Sequence, residues 1–129
     1  MKLGYTLLYV DDVELAMDFY EAAFGLTKGF LHESGQYGEM ATGETKLGFV
    51  QHETASSHNF KYQKANKSNK PFGCEVGLVT KDVGKAFDTA VKAGALVAYP
   101  PTEMPWGQMV SYVRDCHGFL IEICSPMAE

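Results

Sequence analysis

Arginine is almost missing from this 129-residue chain: Arg114 is the only one. Eleven Lys and Arg stand against sixteen Asp and Glu, a formal net charge of −5. A protein that grips a phosphate backbone needs a basic surface, so a nucleic-acid partner is excluded. Cysteine is scarce too. Cys74, Cys116 and Cys124 are odd in number and have no CxxC spacing, which excludes a disulfide framework and a zinc knuckle; all three read as reduced thiols. No apolar run approaches the roughly 20 residues that span a bilayer, so no membrane partner is expected. The start, Met1-Lys2-Leu3-Gly4-Tyr5, runs into a strand-like segment without an apolar h-region or a small-residue cleavage site, and a cytoplasmic protein is expected. The four histidines, His32, His52, His58 and His117, form neither HxH nor HExxH. Each is expected on the surface, with His52, next to Gln51, the exception.

What is present is material for a core. Apolar residues make up 46% of the chain, including eight Phe and seven Tyr, and this argues against disorder. The length suits one domain, or two half-size modules sharing a core.

Thr6 to Val10 reads as a strand. Asp11-Asp12 offers an N-cap, and Val13, Leu15, Ala16, Phe19, Tyr20 and Ala23 fall at helical spacing until Gly25 stops the run. Strands follow at Leu26 to His32, Tyr37 to Thr42 and Lys46 to Gln51, with turns at Ser34-Gly35 and Gly43-Glu44. The unit is βαβββ. Residues 52 to 72 then lose apolar periodicity, apart from Phe60 and Tyr62, and read as a connector able to act as a flap. After it the plan restarts: a strand at Glu75 to Val79, a cap at Lys81-Asp82, a helix from Val83 to Ala93 closed by Gly94. Short strands are predicted at Leu96 to Tyr99, Met109 to Val113 and Phe119 to Cys124, with turns at Pro100-Pro101 and His117-Gly118.

A shift of 70 residues tests the restart. It lays Leu8 on Leu78, Asp12 on Asp82, Val13 on Val83, Ala16 on Ala86, Asp18 on Asp88, Ala23 on Ala93 and Leu26 on Leu96, seven identities in nineteen positions. An internal repeat is the strongest signal in the sequence. It divides the chain into module one at 1–52, a connector at 53–72 and module two at 73–126 of a single α+β domain.

Strand alternation points to chemistry. If Phe119, Ile121 and Ile123 pack on a helix, Leu120, Glu122 and Cys124 face away from it; likewise Glu75, Gly77 and Val79 oppose Val76 and Leu78. Each Glu sits in an otherwise apolar strand, where an unpaired carboxylate is costly. Three compensations stay open: a strand end reaching water or a partner such as Lys46 or Arg114, a partial metal site, or a carboxylate pair receiving a cationic or hydroxyl-rich ligand. Two such acids close together titrate as a pair, one proton being held to higher pH. Pro105-Trp106-Gly107-Gln108 reads as a rigid aromatic turn, its indole able to cover a planar ligand while Gln108 hydrogen-bonds to it. Tyr5, Tyr9, Tyr37, Met40, Phe49 and Tyr112 supply further aromatic and sulfur-containing wall.

Tandem βαβββ modules in about 130 residues resemble the vicinal oxygen chelate superfamily, which includes glyoxalase I, extradiol dioxygenases, fosfomycin-resistance enzymes and bleomycin-resistance proteins. The segment from Val10 to Tyr20 is similar to the family's first helix. Val113 to Glu122 is similar to its closing "D-P-x-G-x-x-[IL]-E" hairpin, with Cys116 where Pro is usual. The resemblance implies a cupped sheet, a homodimer, and a divalent-metal site whose four positions fall on Tyr5, Phe49, Glu75 and Glu122. Of these only the glutamates donate well, and Phe49 donates nothing, so a four-ligand cage is not assembled. Glyoxalase-type isomerisation needs a metal to polarise a carbonyl, and is not expected. The leading expectation is a protein similar to bleomycin-resistance proteins, binding a small planar or cationic molecule without metal or other cofactor through Tyr5, Phe49, Glu75, Trp106, Gln108 and Tyr112. The alternative is a lyase or isomerase using Zn, Ni, Mn or Fe at Glu75 and Glu122, with Glu122 catalytic and Gln51 or His52 completing the ligand set. A structural or regulatory module without ligand is the third possibility.

Overall fold

A computed structural model describes residues 1–127. The chain divides into two compact units, Met1–Ala65 and a second that begins at Asn66. In the first, the elements are β1 (Tyr5–Val10), α1 (Val13–Phe24), β2 (Thr27–Leu31), β3 (Tyr37–Ala41), β4 (Lys46–Gln51) and the short α2 (His52–Ser56). In the second they are β5 (Val76–Val79), α3 (Val83–Lys92), β6 (Leu96–Glu103), β7 (Met109–Arg114) and β8 (Leu120–Cys124). Each unit is a four-stranded mixed sheet, ordered β1-β4-β3-β2 and β5-β8-β7-β6; the first pair is parallel and the rest antiparallel. The expected tandem βαβββ architecture, an α+β fold, is present.

The repeat is visible in the local chemistry. Asp12 and Asp82 both serve as N-caps, their carboxylates accepting from the backbone N–H three residues on, Leu15 at 3.0 Å and Lys85 at 3.1 Å. The helix that follows covers one face of its own sheet. Val13, Ala16, Met17, Phe19, Tyr20 and Ala23 of α1 are buried along with Leu8, Val10, Met40, Leu47 and Phe49 of the strands. In the second unit α3 buries Val83, Phe87 and Ala90, and β7 and β8 bury Val113, Ile121 and Ile123. These two sandwiches of helix on sheet are the cores, and they leave the other face of each sheet for other work.

Three expectations need correction. The turn predicted at Pro100-Pro101 is instead strand: β6 runs on to Glu103, and its pairing with β7 skips from Tyr99 to Thr102. Proline removes a ladder donor, and β6 tolerates two because it is an edge strand with an irregular register there. The connector opens with a helical turn, α2, which polar composition hid. The connector is also divided in its packing. Its first part folds onto the first unit, where Tyr62 meets Tyr9 edge-on with ring centroids 5.0 Å apart and its hydroxyl lies 2.7 Å from Nδ1 of His52. The later part is fastened within the second unit. The Arg114 guanidinium donates to the carbonyls of Asn66 (2.9 Å), Lys67 (3.1 Å) and Gly118 (2.8 Å). Gly118 has a φ of 95°, and a Cβ there would lie 2.5 Å from the Asn66 carbonyl, so glycine is required twice over. No helix among the described residues is long and apolar enough to cross a membrane.

Candidate functional site

The face of the second sheet turned away from α3 gathers the acids. Glu122 lies in β8 opposite Gly77 of β5 and Tyr112 of β7, and Glu75 stands one residue before β5. The Tyr112 hydroxyl reaches both carboxylates with long hydrogen bonds, 3.4 Å to Oε1 of Glu75 and 3.4 Å to Oε2 of Glu122. Burial, with the neighbouring Glu75 carboxyl, raises Glu122 above the usual carboxylate range. Burial, then the two carboxylates, push the Tyr112 phenol up to about 12, so it remains a protonated donor at neutral pH. Burial and the same negative charges raise the Cys124 thiol. Among the described residues neither carboxylate has an ion-pair partner. Arg114, one of the two cations considered from the sequence, is committed to main-chain carbonyls.

Beside this cluster lies an open hollow of about 480 Å³, lined by Glu75, Tyr112, Ala98, Tyr99, Met104 and Leu120. Tyr99 tilts against Tyr112 with ring centroids 6.3 Å apart. Met104 opens the β6–β7 hairpin loop that carries Trp106, which is exposed. The Trp106 Nε1–H donates to Oε1 of Gln108 at 2.9 Å, and the Gln108 amide donates to the Ser125 carbonyl at 2.9 Å. Gln108 therefore braces the hairpin. Leu120 lies on the face the strand alternation assigned to it, whereas Tyr99 and Met104 are wall residues the sequence reasoning missed, because the expected turn at Pro100-Pro101 hid the continuation of β6.

The first unit arranges the same positions differently, and register shows how. Leu7 pairs with Gly48 as Gly77 pairs with Glu122, so the counterpart of Glu122 is Gly48 and not Phe49. Phe49 is one residue out of phase. Its side chain is fully buried, packed edge-on against Tyr20 of α1 with centroids 4.9 Å apart. It belongs to the core and not to a ligand wall. Met40, also expected in the wall, is fully buried with it. Tyr5 is the counterpart of Glu75 and is exposed. Glu39, opposite Gly48, is the counterpart of Tyr112. Acid and phenol have changed places between the units, and Tyr37 donates to Glu39 at 2.7 Å. Burial, then that bond, raise the Tyr37 phenol above its ordinary value. A Cβ at Gly48 would fall 2.7 Å from Leu7 Cδ2 and 3.2 Å from the Tyr37 hydroxyl, so the missing side chain is what admits both neighbours.

The reserve ligands behave likewise. Gln51 pairs with Val10 on the helix-covered face, and its Oε1 is buried without a hydrogen-bond partner. His52 is buried, with Nδ1 at the Tyr62 hydroxyl and Nε2 3.5 Å from Oδ1 of Asp11, so both ring nitrogens are engaged. His117, expected on the surface, is buried in the turn that Asp115 organises by accepting from the His117 and Phe119 N–H groups, each at 2.9 Å. No group of three or more His, Cys, Asp or Glu side chains among the described residues is placed to hold a metal ion. In the second unit Glu75 and Glu122 supply two carboxylate donors; their register counterparts in the first, Tyr5 and Gly48, supply a phenol and no donor.

Residues 2–123 match the Glyoxalase/Bleomycin resistance protein/Dioxygenase superfamily. The chain belongs to this superfamily. It is 27% identical over 124 residues to the protein YraH of Bacillus subtilis (strain 168), covering 95% of this chain and 97% of that one. Among solved structures it is similar to a glyoxalase-related enzyme from Fulvimarina pelagi, with a TM-score of 0.83 and 18% identity over 98% of this chain and 88% of that one. It is also similar to TioX from Micromonospora sp. ML1, with a TM-score of 0.73 and 20% identity over 97% and 98% of the two chains. At these identities the structures establish the glyoxalase fold of the superfamily member described here, and its chemistry rests on its own residues.

Proposed function

We propose that this superfamily member binds a small planar or cationic molecule in the hollow of the second unit, without a resident metal. The observation that carries the reading is the Glu75–Glu122 pair beside an apolar, aromatic hollow, with no cation among the described residues to neutralise it. Glu122 is half-buried beside the exposed carboxylate of Glu75, an unfavourable place for a second negative charge. A ligand that brings positive charge or donors relieves them, while Tyr99, Met104, Tyr112 and Leu120 cover its apolar body. That no third His, Cys, Asp or Glu among the described residues joins Glu75 and Glu122 in a metal-holding group speaks against the alternative in which Glu122 serves a Lewis-acidic metal in a lyase or isomerase reaction.

Trp106 gives a direct measurement, since its hairpin also carries Met104. Titration with aromatic cations should change its emission, and Glu75→Gln with Glu122→Gln should abolish the change. In parallel, melts with Ni²⁺, Mn²⁺ and Zn²⁺ should show no metal-dependent stabilisation. Stoichiometric metal that purifies with the protein and is lost in Glu122→Gln would overturn this reading in favour of the metal-dependent one.

A further inference from the structure

We propose that the first unit carries a second ligand site, opposite in charge to the hollow of the second: a pocket on the connector that takes a small aromatic anion, its ring on Phe60 and Tyr62 and its charged group at Lys61 and Lys64. The proposal is independent of any ligand at Glu75 and Glu122.

The sequence supplies the charge. Within a chain of net charge −5, the stretch between Glu53 and Glu75 holds Lys61, Lys64, Lys67 and Lys70 and no carboxylate. A lysine with acidic neighbours uses them, as Lys28 of the same unit does in pairing with Asp18. Lys61 and Lys64 have no such partner among the described residues. Unpaired ammonium groups brought to one pocket attract anions and hold them by charge-assisted hydrogen bonds.

Local structure builds the pocket. Past α2 the Asn59 N–H donates to the Ser56 carbonyl at 3.2 Å, and Asn59 takes a φ of 63°, a left-handed conformation that Asn tolerates better than most residues. The chain turns there into residues 60–64. The Tyr62 ring is set edge-on to Tyr9 of β1 and its hydroxyl lies at Nδ1 of His52, so it is fixed from two directions. Phe60 lies against both rings, its centroid 6.4 Å from that of Tyr9 and 6.1 Å from that of Tyr62, yet 46% of it stays exposed. A half-exposed phenyl beside a fixed ring is apolar surface that a flat ligand covers.

These rings share a pocket of about 410 Å³ with Ser56, Asn59, Lys61 and Lys64, a volume in the range of small-ligand sites. The side chains of Ser56 and Asn59 form no hydrogen bond among the described residues, so a hydroxyl and an amide N–H stand ready for an anion beside the two ammonium groups. The acids of the neighbouring elements are outside the lining: Asp11 lies 3.5 Å from Nε2 of His52, and Glu53 sits in the first turn of α2. A cationic ligand would meet no carboxylate in this lining, and a neutral arene would leave both ammonium groups without a counter-charge.

The experiment is isothermal titration of the full chain with 1-naphthyl phosphate, with 1-naphthol, which lacks the charge, and with inorganic phosphate, which lacks the ring. The naphthyl phosphate should bind roughly tenfold tighter than either, and its affinity should fall as NaCl rises from about 0.05 M to about 0.5 M. Lys61→Gln with Lys64→Gln should reduce its affinity to that of 1-naphthol without moving the urea midpoint, since both side chains are exposed. Phe60→Ala should weaken naphthyl phosphate and leave inorganic phosphate unchanged. Bound naphthyl phosphate should also slow tryptic cleavage after Lys61 and Lys64. Equal binding of 1-naphthol, equal binding of inorganic phosphate, full affinity in the double lysine variant, or no binding of naphthyl phosphate at all would each overturn the proposal. None of these outcomes bears on the hollow of the second unit, whose residues the variants leave intact.

Discussion

Gly48 and Phe49 are neighbours in β4, and the boundary between core and open face runs between them. Because successive strand residues point to opposite sides, Phe49 fills the space under α1 while Gly48 occupies the position that Glu122 takes in the second sheet. Phe49→Ala should therefore destabilise the protein by about 3–5 kcal/mol in urea unfolding, without a specific effect on ligand binding. Glu122→Gln should do the opposite. A carboxyl whose folded-state pKa is raised contributes fully only below its unfolded value, and stability is lost as pH rises through the folded value. Removing the charge should raise the melting temperature by about 2 °C near pH 7.5 and by nothing measurable near pH 4. The sequence put Glu122 on the face turned away from the helix, because Ile121 and Ile123 flank it in β8. In β4 every residue from Leu47 to Val50 is buried, so no alternation was available to choose between Gly48 and Phe49.

At the scale of elements, the β7–β8 turn and the later part of the connector act as one piece. The Arg114 guanidinium holds three carbonyls, and Gly118 leaves room for the Asn66 carbonyl to approach. Arg114→Ala should cost about 2 kcal/mol, as hydrogen bonds to a charged donor are lost and carbonyls are left without partners. Gly118→Ala should cost at least as much, because both the positive φ and the close approach forbid a Cβ. Chemical denaturation of the two variants checks this. The helices, their Asp caps and the order of strands were legible from periodicity and capping residues. The connector was not, because its contacts are made by isolated side chains such as Tyr62 and by backbone carbonyls, neither of which leaves a periodic trace.

For the whole molecule, charge is distributed unevenly along the chain. Its acidic excess is interrupted between Glu53 and Glu75, where Lys61, Lys64, Lys67 and Lys70 occur without a single carboxylate. Trypsin in limiting amount should cut first after Lys61 or Lys64. The Lys67 carbonyl is held by Arg114, and Lys70 precedes Pro71. Mass spectrometry of the first fragments tests this, and a first cut after Lys67 would contradict the anchoring described above. The duplication was readable across the molecule because the capping aspartates and the alanines of the two helical segments recur at one offset. Of the exchange of acid and phenol, Tyr5 for Glu75 lies at that same offset of 70, whereas Glu39 for Tyr112 was hidden because the longer β6 changes the offset of the strands that follow it.

Pro100 and Pro101 remove two successive N–H groups from the edge strand β6, and since these alternate in direction, one is lost from the border where a fifth strand would have to attach. Growth of that sheet by stacking further chains edge to edge is blocked on this side, so β6 cannot template a fibre. Restoring both donors, as in Pro100→Thr with Pro101→Thr, should leave the fold intact and shorten the lag before thioflavin-positive aggregates form on prolonged heating.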